Sequence, residues 1–448
     1  MAFSAQHVAT SETQNVIHSG TDVRAMTVAM ILFFMVGFLT CLNDIILPHL
    51  KSIFELNYMQ AMLVQFAFFS SYFVFSYPGG RSVDWLGYKK TMVLGLLTMA
   101  IGAVGFIPAS YVASFPLFLG ALILLAAGMT TVQVSANPYV TIIGPSPTAS
   151  SRLNLAQAFN SVGTFIAPFF GGLLILGAPR IAPAQIHSMT AVAQQAYRQA
   201  QASSVRLPYA GMALLLVLLA TALGLLRLGP SSGRVQPVHH SRTGVLTEIT
   251  RQEIWNHPWL LCGALGIFTY VGAEVTIGSL LVNYMGLPQV VGLREQTAAN
   301  YLMFYWGGAM IGRFIGSAIL QRVKTGLLLC VAAVGASALV LTSILSSGRL
   351  AMDAMLAVGF FNSIMFPSIF TLGIQDLGPL TSKGSSLMIA SIVGGALIPL
   401  ATGRLADHIG LQPSLIVPVI CYVYIALLGA AAIRRRVLVQ VPPEIPPA

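Results

Sequence analysis

The chain has 448 residues, of which 56% are hydrophobic and only 8% charged, with a mean hydropathy of +0.80. Soluble domains carry about 25% charged residues, so the composition excludes a water-soluble globular protein of this size. A net charge of +10 would suit a nucleic-acid partner, but the basic residues gather in particular loops, and that gathering has another cause.

Residues 1–23 form a polar, aperiodic tail without the apolar core of a signal peptide. Twelve apolar stretches then follow, each near the roughly 20 residues that span a bilayer. The first six are 26–47, 60–80, 91–109, 114–137, 152–176 and 208–228. The first carries Asn43 and Asp44. After the second comes Gly80-Arg81-Ser82-Val83-Asp84-Trp85-Leu86-Gly87-Tyr88-Lys89-Lys90, a Gly-permitted turn. Asp84 stands there near a helix end, where Arg81 or the other half of the chain can pair with it and hold one end shut. Gly80, Arg81, Asp84, Gly87, Lys89 and Lys90 are the expected gating residues. Span 4 places Thr130, Gln133, Asn137 and Thr141 at three- and four-residue spacing, hence on one helical face. Span 5 repeats this with Asn154, Gln157, Asn160 and Thr164.

Residues 229–257, rich in Pro, Gly, Ser, Arg and His, read as a linker. The second set of spans is 259–284, 297–320, 325–346, 350–373, 384–404 and 413–433, followed by a proline-rich tail at 437–448. Span 7 carries Tyr270, Glu274 and Asn283, and span 8 carries Asn300. Arg313 is the one cation inside a predicted span away from its last two residues at either end; it is expected near the inner end of span 8, like Arg81, in a structural role. With the N-terminus in the cytoplasm, 16 of the 23 Lys and Arg residues fall on the inner side. That is the positive-inside bias, so the basic excess reports topology rather than nucleic-acid binding. The four cysteines are isolated, with no CxxC spacing, so neither a disulfide nor a metal site is indicated.

The two halves repeat. V-G-T-F-I-A-P at Val162 to Pro168 returns as V-G-G-A-L-I-P at Val393 to Pro399. Gly80-Arg81 matches Gly312-Arg313, and Pro138 matches Pro367. The predicted fold is an all-α membrane protein of two pseudo-symmetric six-helix bundles, 24–228 and 258–436. Its site lies between them at mid-membrane. A charge in hydrocarbon is costly unless it faces a partner or a wet cavity, which singles out Asp44 and Glu274 as cation-coupling acids. The amides, which both donate and accept, suit a neutral ligand with many hydroxyls. Asn43, Gln133, Asn137, Gln157, Asn160, Glu274, Asn283 and Asn300 are the expected substrate contacts. Tyr72, Tyr301, Tyr305, Trp306 and Phe361 are candidates for stacking on a sugar face.

The Gly80–Lys90 loop resembles the loop signature of the major facilitator superfamily. Leu42-Asn43-Asp44-Ile45-Ile46-Leu47-Pro48, Ala136-Asn137-Pro138-Tyr139-Val140-Thr141, Arg152 to Ser161 and Ala299-Asn300-Tyr301-Leu302 resemble the bacterial fucose:proton symporter family. Tyr270 to Glu274, with Leu281-Val282-Asn283-Tyr284, is similar to its glucose/galactose transporter branch. The resemblance implies a monosaccharide symporter of the bacterial inner membrane, driven by a proton or sodium ion. It implies that Asp44 is the helix 1 acid and that Gln157 and Asn160 are amides near the sugar. Gln133 stands where the fucose carrier has its second acid, so coupling is expected at Asp44 and Glu274. The chain is expected to be no enzyme, to act as a monomer in lipid, and to need no cofactor. The alternatives are an uncoupled sugar uniporter or exchanger, and a proton-driven drug exporter, against which the amide-rich stripes argue.

Overall fold

The structure is a computed structural model and describes residues 21–54, 58–112, 114–174, 189–190, 192–194, 206–226 and 254–439. Both tails and most of the 178–207 and 229–257 connections lie outside the described residues. A chain this apolar must satisfy its backbone polar groups within each segment, which in lipid leaves helices; among the described residues there is no strand.

The first helices are α1 (Val23–Phe54), α2 (Tyr58–Val112), α3 (Phe115–Ile142), α4 (Ala149–Leu174) and α5 (Arg206–Leu225). They are followed by α6 (Pro258–Met285), α7 (Glu295–Ile319), α8 (Thr325–Leu345), α9 (Gly348–Asn362) and α10 (Met365–Gly373). The chain closes with α11 (Thr381–Ala390), α12 (Gly394–Ile409), α13 (Leu411–Ser414) and α14 (Ile416–Val439). Among the described residues, nine helical stretches are long and apolar enough to cross a membrane. One of them, Phe66–Val112, has 47 residues, about twice what a bilayer needs. It is broken at Gly87, whose φ of 77° and ψ of 167° lie in a region that favours glycine. Spans 2 and 3 of the sequence meet there.

Two helix groups result. In the first, α1 packs on α4, and α2 on α3 and α5; in the second, α6 packs on α12 and α14, and α8 on α9 and α14. The internal repeat sets matching contacts. A Cβ on Gly163 of α4 would lie 2.8 Å from the Phe38 amide nitrogen of α1, and one on Gly394 would lie 2.7 Å from the Phe268 carbonyl carbon of α6. Small residues thus let each pair of backbones approach closely. Between the groups, α4 meets α7 and α10, while α2 and α3 meet α11.

The repeated proline has a consequence of its own. A proline inside a helix has no N–H for the carbonyl four residues earlier. In α3, Pro138 therefore leaves the Val134 carbonyl without its helical donor, and the Ser385 hydroxyl of α11 donates to it at 2.9 Å. Where α9 runs on into α10, Pro367 likewise offers no N–H to the carbonyl four residues earlier, that of Ser363, which accepts from Arg313 Nε at 3.3 Å.

Candidate functional site

A cavity of about 420 Å³ lies between the two groups, within the range of small-molecule sites. On the first group's side, Gln157, Asn160 and Thr164 of α4 line it because their three- and four-residue spacing puts them on one face. Gln133 lines it from α3 and donates to the Tyr72 hydroxyl at 3.0 Å. Asn160 Nδ2 donates to the Phe33 carbonyl at 3.0 Å, and the Thr164 hydroxyl to the Gly37 carbonyl at 3.3 Å. Both bonds tie α4 to α1, where Phe33, Val36 and Thr40 complete that wall.

Asn137 is placed differently from its sequence reading. It is fully buried behind the wall, donating to the Gln133 carbonyl at 2.9 Å, while its Oδ1 lies 3.5 Å from Gln157 Nε2. It supports two lining residues rather than lining the cavity. Asn283 and Asn300 are exposed on α6 and α7 and are not part of the lining. The side chains of Asn43 and Asp44, on α1, are outside those described. Of the aromatic candidates, Tyr72 and Trp306 line the cavity, while Tyr305 is fully buried.

On the opposite side stand Tyr270 and Glu274 of α6 with Trp306 and Arg313 of α7. Here a sequence expectation is corrected. Arg313 shares its repeat position with Arg81, but Arg81 is exposed and stacks over Trp85 at 5.3 Å. Arg313 instead turns into the cavity floor, with Nη2 3.9 Å from Glu274 Oε1 and Nη1 donating to the Ser161 hydroxyl of α4. The physical reason is the acceptor freed by Pro367, which holds Nε from the far side. Phe68, Phe69 and Phe366 also line the cavity; phenylalanines are too common in apolar helices for sequence to single these out.

At one end the two groups are closed against each other. Asp84 accepts from the Ser382 hydroxyl of α11, across the groups. Gly80 makes this approach possible: a Cβ there would lie 3.3 Å from the Ser382 carbonyl oxygen. Lys89 has a different task. Its ammonium donates to the Gly224 and Leu226 carbonyls, at 2.9 and 2.6 Å, covering the C-terminal end of α5, where helical carbonyls lack partners. Lys90 is exposed. Beyond this loop runs a seam of hydroxyls. Ser150 bonds to Thr371 at 2.6 Å, and Thr325 donates to Ser150 at 2.9 Å. Ser151 donates to the Ser317 carbonyl at 2.7 Å, and Ser317 donates back to the Ser151 carbonyl at 3.0 Å. Asn154 donates to the Arg313 carbonyl at 2.7 Å. Arg152, which sequence reading left without a role, is buried and holds the turn before α4 through the Thr141, Gly144 and Pro145 carbonyls. These bonds between the groups lie at this end or on the cavity floor.

The family model described as Major Facilitator Superfamily matches residues 28–386. The chain belongs to that superfamily. This facilitator chain is 46% identical over 422 residues to a glucose/galactose transporter of Brucella abortus, covering 93% of this chain and 97% of that one. It is 34% identical to the L-fucose-proton symporter of Escherichia coli, over 88% of this chain and 90% of the relative. A crystal structure of the transporter FucP in the outward conformation matches with a TM-score of 0.83 at 32% identity, covering 92% of this chain and 99% of that one. These relatives are named as transporters, and the facilitator chain is an integral membrane protein rather than an enzyme.

Proposed function

We propose that this chain imports a neutral monosaccharide of the glucose/galactose type by symport with a cation, through alternating access. The observation that carries the reading is the cavity itself. Amides of α3 and α4 face a carboxylate of α6 across a space of about 420 Å³, closed toward the Gly80–Lys90 end. Amides give and take hydrogen bonds, as a polyhydroxylated ring requires, and Tyr72 and Trp306 offer ring faces. The names of the relatives point the same way. The fold is then read as twelve spans in two bundles, 24–228 and 258–436, with both termini cytoplasmic in a bacterial inner membrane. Under that topology the closed end, where Asp84 meets Ser382 and Ser151 meets Ser317, is the cytoplasmic one.

Asp44 is the proposed coupling carboxylate, one helical turn from Thr40, a lining residue of α1. The proton is the proposed ion, in keeping with the fucose-proton relatives, and sodium is the alternative. The test is uptake of radiolabelled galactose and glucose into proteoliposomes under an imposed proton or sodium gradient. Wild-type protein should concentrate sugar under the proton gradient. Asp44→Asn should still exchange sugar across the membrane yet lose concentration, because exchange needs no net ion movement. An Asp44→Asn protein that concentrates galactose as well as wild type rules Asp44 out.

A further inference from the structure

We propose that Arg313 is the fixed counter-ion of Glu274 and the residue that positions it for the sugar, so that Glu274 binds substrate and takes no part in cation coupling. This rests on the sugar-symport reading above. Of the described residues lining the cavity, Glu274 is the one acid and Arg313 the one cation. Their side chains are only 14% and 13% exposed. A carboxylate alone at that depth would call for a bound cation to offset its charge. With Arg313 beside it, the pair is neutral and needs no co-ion.

The arginine does not depend on the carboxylate for its place. Its Nε is held by the Ser363 carbonyl at 3.3 Å and its Nη1 by the Ser161 hydroxyl. Neither partner changes charge, and the first is an acceptor that Pro367 has released from the helix. At 3.9 Å, the guanidinium compensates Glu274 without forming a direct hydrogen bond. The carboxylate therefore keeps acceptor capacity toward the cavity. A sugar hydroxyl donating there makes a charge-assisted bond. A coupling acid, in contrast, must fill and empty its charge in every cycle. Glu274 could do so only by leaving Arg313 as an unbalanced buried charge, a costly state. Coupling thus falls to Asp44 alone.

The test uses radiolabelled galactose in proteoliposomes that carry wild-type protein shown to concentrate the sugar. Failure of that wild-type control sinks the transport reading, not this assignment. Glu274→Gln, which loses a charge-assisted bond to the sugar and also leaves Arg313 without its counter-ion, should raise the KM for equilibrium exchange by at least about 10-fold. At saturating sugar it should still concentrate galactose. Arg313→Gln should lower exchange more than the double variant Arg313→Gln/Glu274→Gln, which no longer strands a charge, and Arg313→Lys should restore part of the loss. A purely structural arginine would show neither the rescue by the double variant nor that by lysine. Glu274→Asp, which keeps the charge, provides a second carboxylate variant if Glu274→Gln does not yield folded protein; it should retain concentration at saturating sugar with a raised KM. The assignment is overturned if Glu274→Gln or Glu274→Asp exchanges with wild-type KM but no longer concentrates galactose, or if the double variant is no better than Arg313→Gln.

Discussion

Removing both hydroxyls of the Ser151–Ser317 pair should tip the transporter away from the described conformation by a calculable amount. Each serine donates to the other's backbone carbonyl, at 2.7 and 3.0 Å, and both side chains are buried. These two bonds join α4 to α7, so they exist only while this end is closed. A net protein hydrogen bond is worth about 0.5–1.5 kcal/mol. Ser151→Ala/Ser317→Ala should therefore cost the closed seam about 1–3 kcal/mol, which multiplies the seam-open population about 5- to 150-fold. No buried donor is stranded by the change, because both removed groups are the donors. The assay needs a reporter that water reaches only when the seam parts. Ser385 is fully buried and bonded across the groups to the Val134 carbonyl. In detergent, on a chain freed of Cys41, Cys262, Cys330 and Cys421, maleimide labelling of an S385C protein should accelerate by that factor when the two alanines are added. An unchanged rate, with galactose binding intact, would show that the seam bonds do not hold this conformation.

Two further outcomes follow from the packing. Gln157→Ala should weaken galactose binding about 3- to 10-fold, one hydrogen bond's worth, in a protein that still folds; equal affinity in a titration would remove Gln157 from the site. Gly163→Ala should lower thermal stability in detergent by an amount equivalent to about 1–3 kcal/mol, since the added carbon meets the α1 backbone rather than a side chain that can swing aside; an unaltered melting curve would contradict the close α1–α4 contact.

Much of this arrangement was readable from the residues. The face formed by Gln157, Asn160 and Thr164 follows from spacing alone, and the repeated glycines at 163 and 394 mark two close helix contacts. Spacing fixes which residues share a face, but not how far that face is turned toward the neighbouring group. Asn137 therefore falls behind the wall, and Asn283 and Asn300 fall outside it. The repeat misled at Arg313, because equal sequence positions need not meet equal partners: α2 presses against α11 near Gly80, while α7 meets the proline-freed carbonyl of Ser363. The hydroxyl seam was illegible for another reason. Serine and threonine in a helix can satisfy themselves on the carbonyl four residues back, as Thr130 and Thr131 do, so nothing in the sequence marks the few that reach across.

Pro138 and Pro367 bear on how this protein tolerates mutation. The acceptors they release are backbone carbonyls, present whatever side chain occupies positions 134 and 363. Val134 and Ser363 can vary without deleting the oxygen that Ser385 or Arg313 uses. Sensitivity is displaced onto the prolines themselves, where any other residue returns an N–H to the helix and sets it in competition for the same oxygen. A library of substitutions across α3 and α10 should thus record its penalty four residues away from the atom that makes the contact.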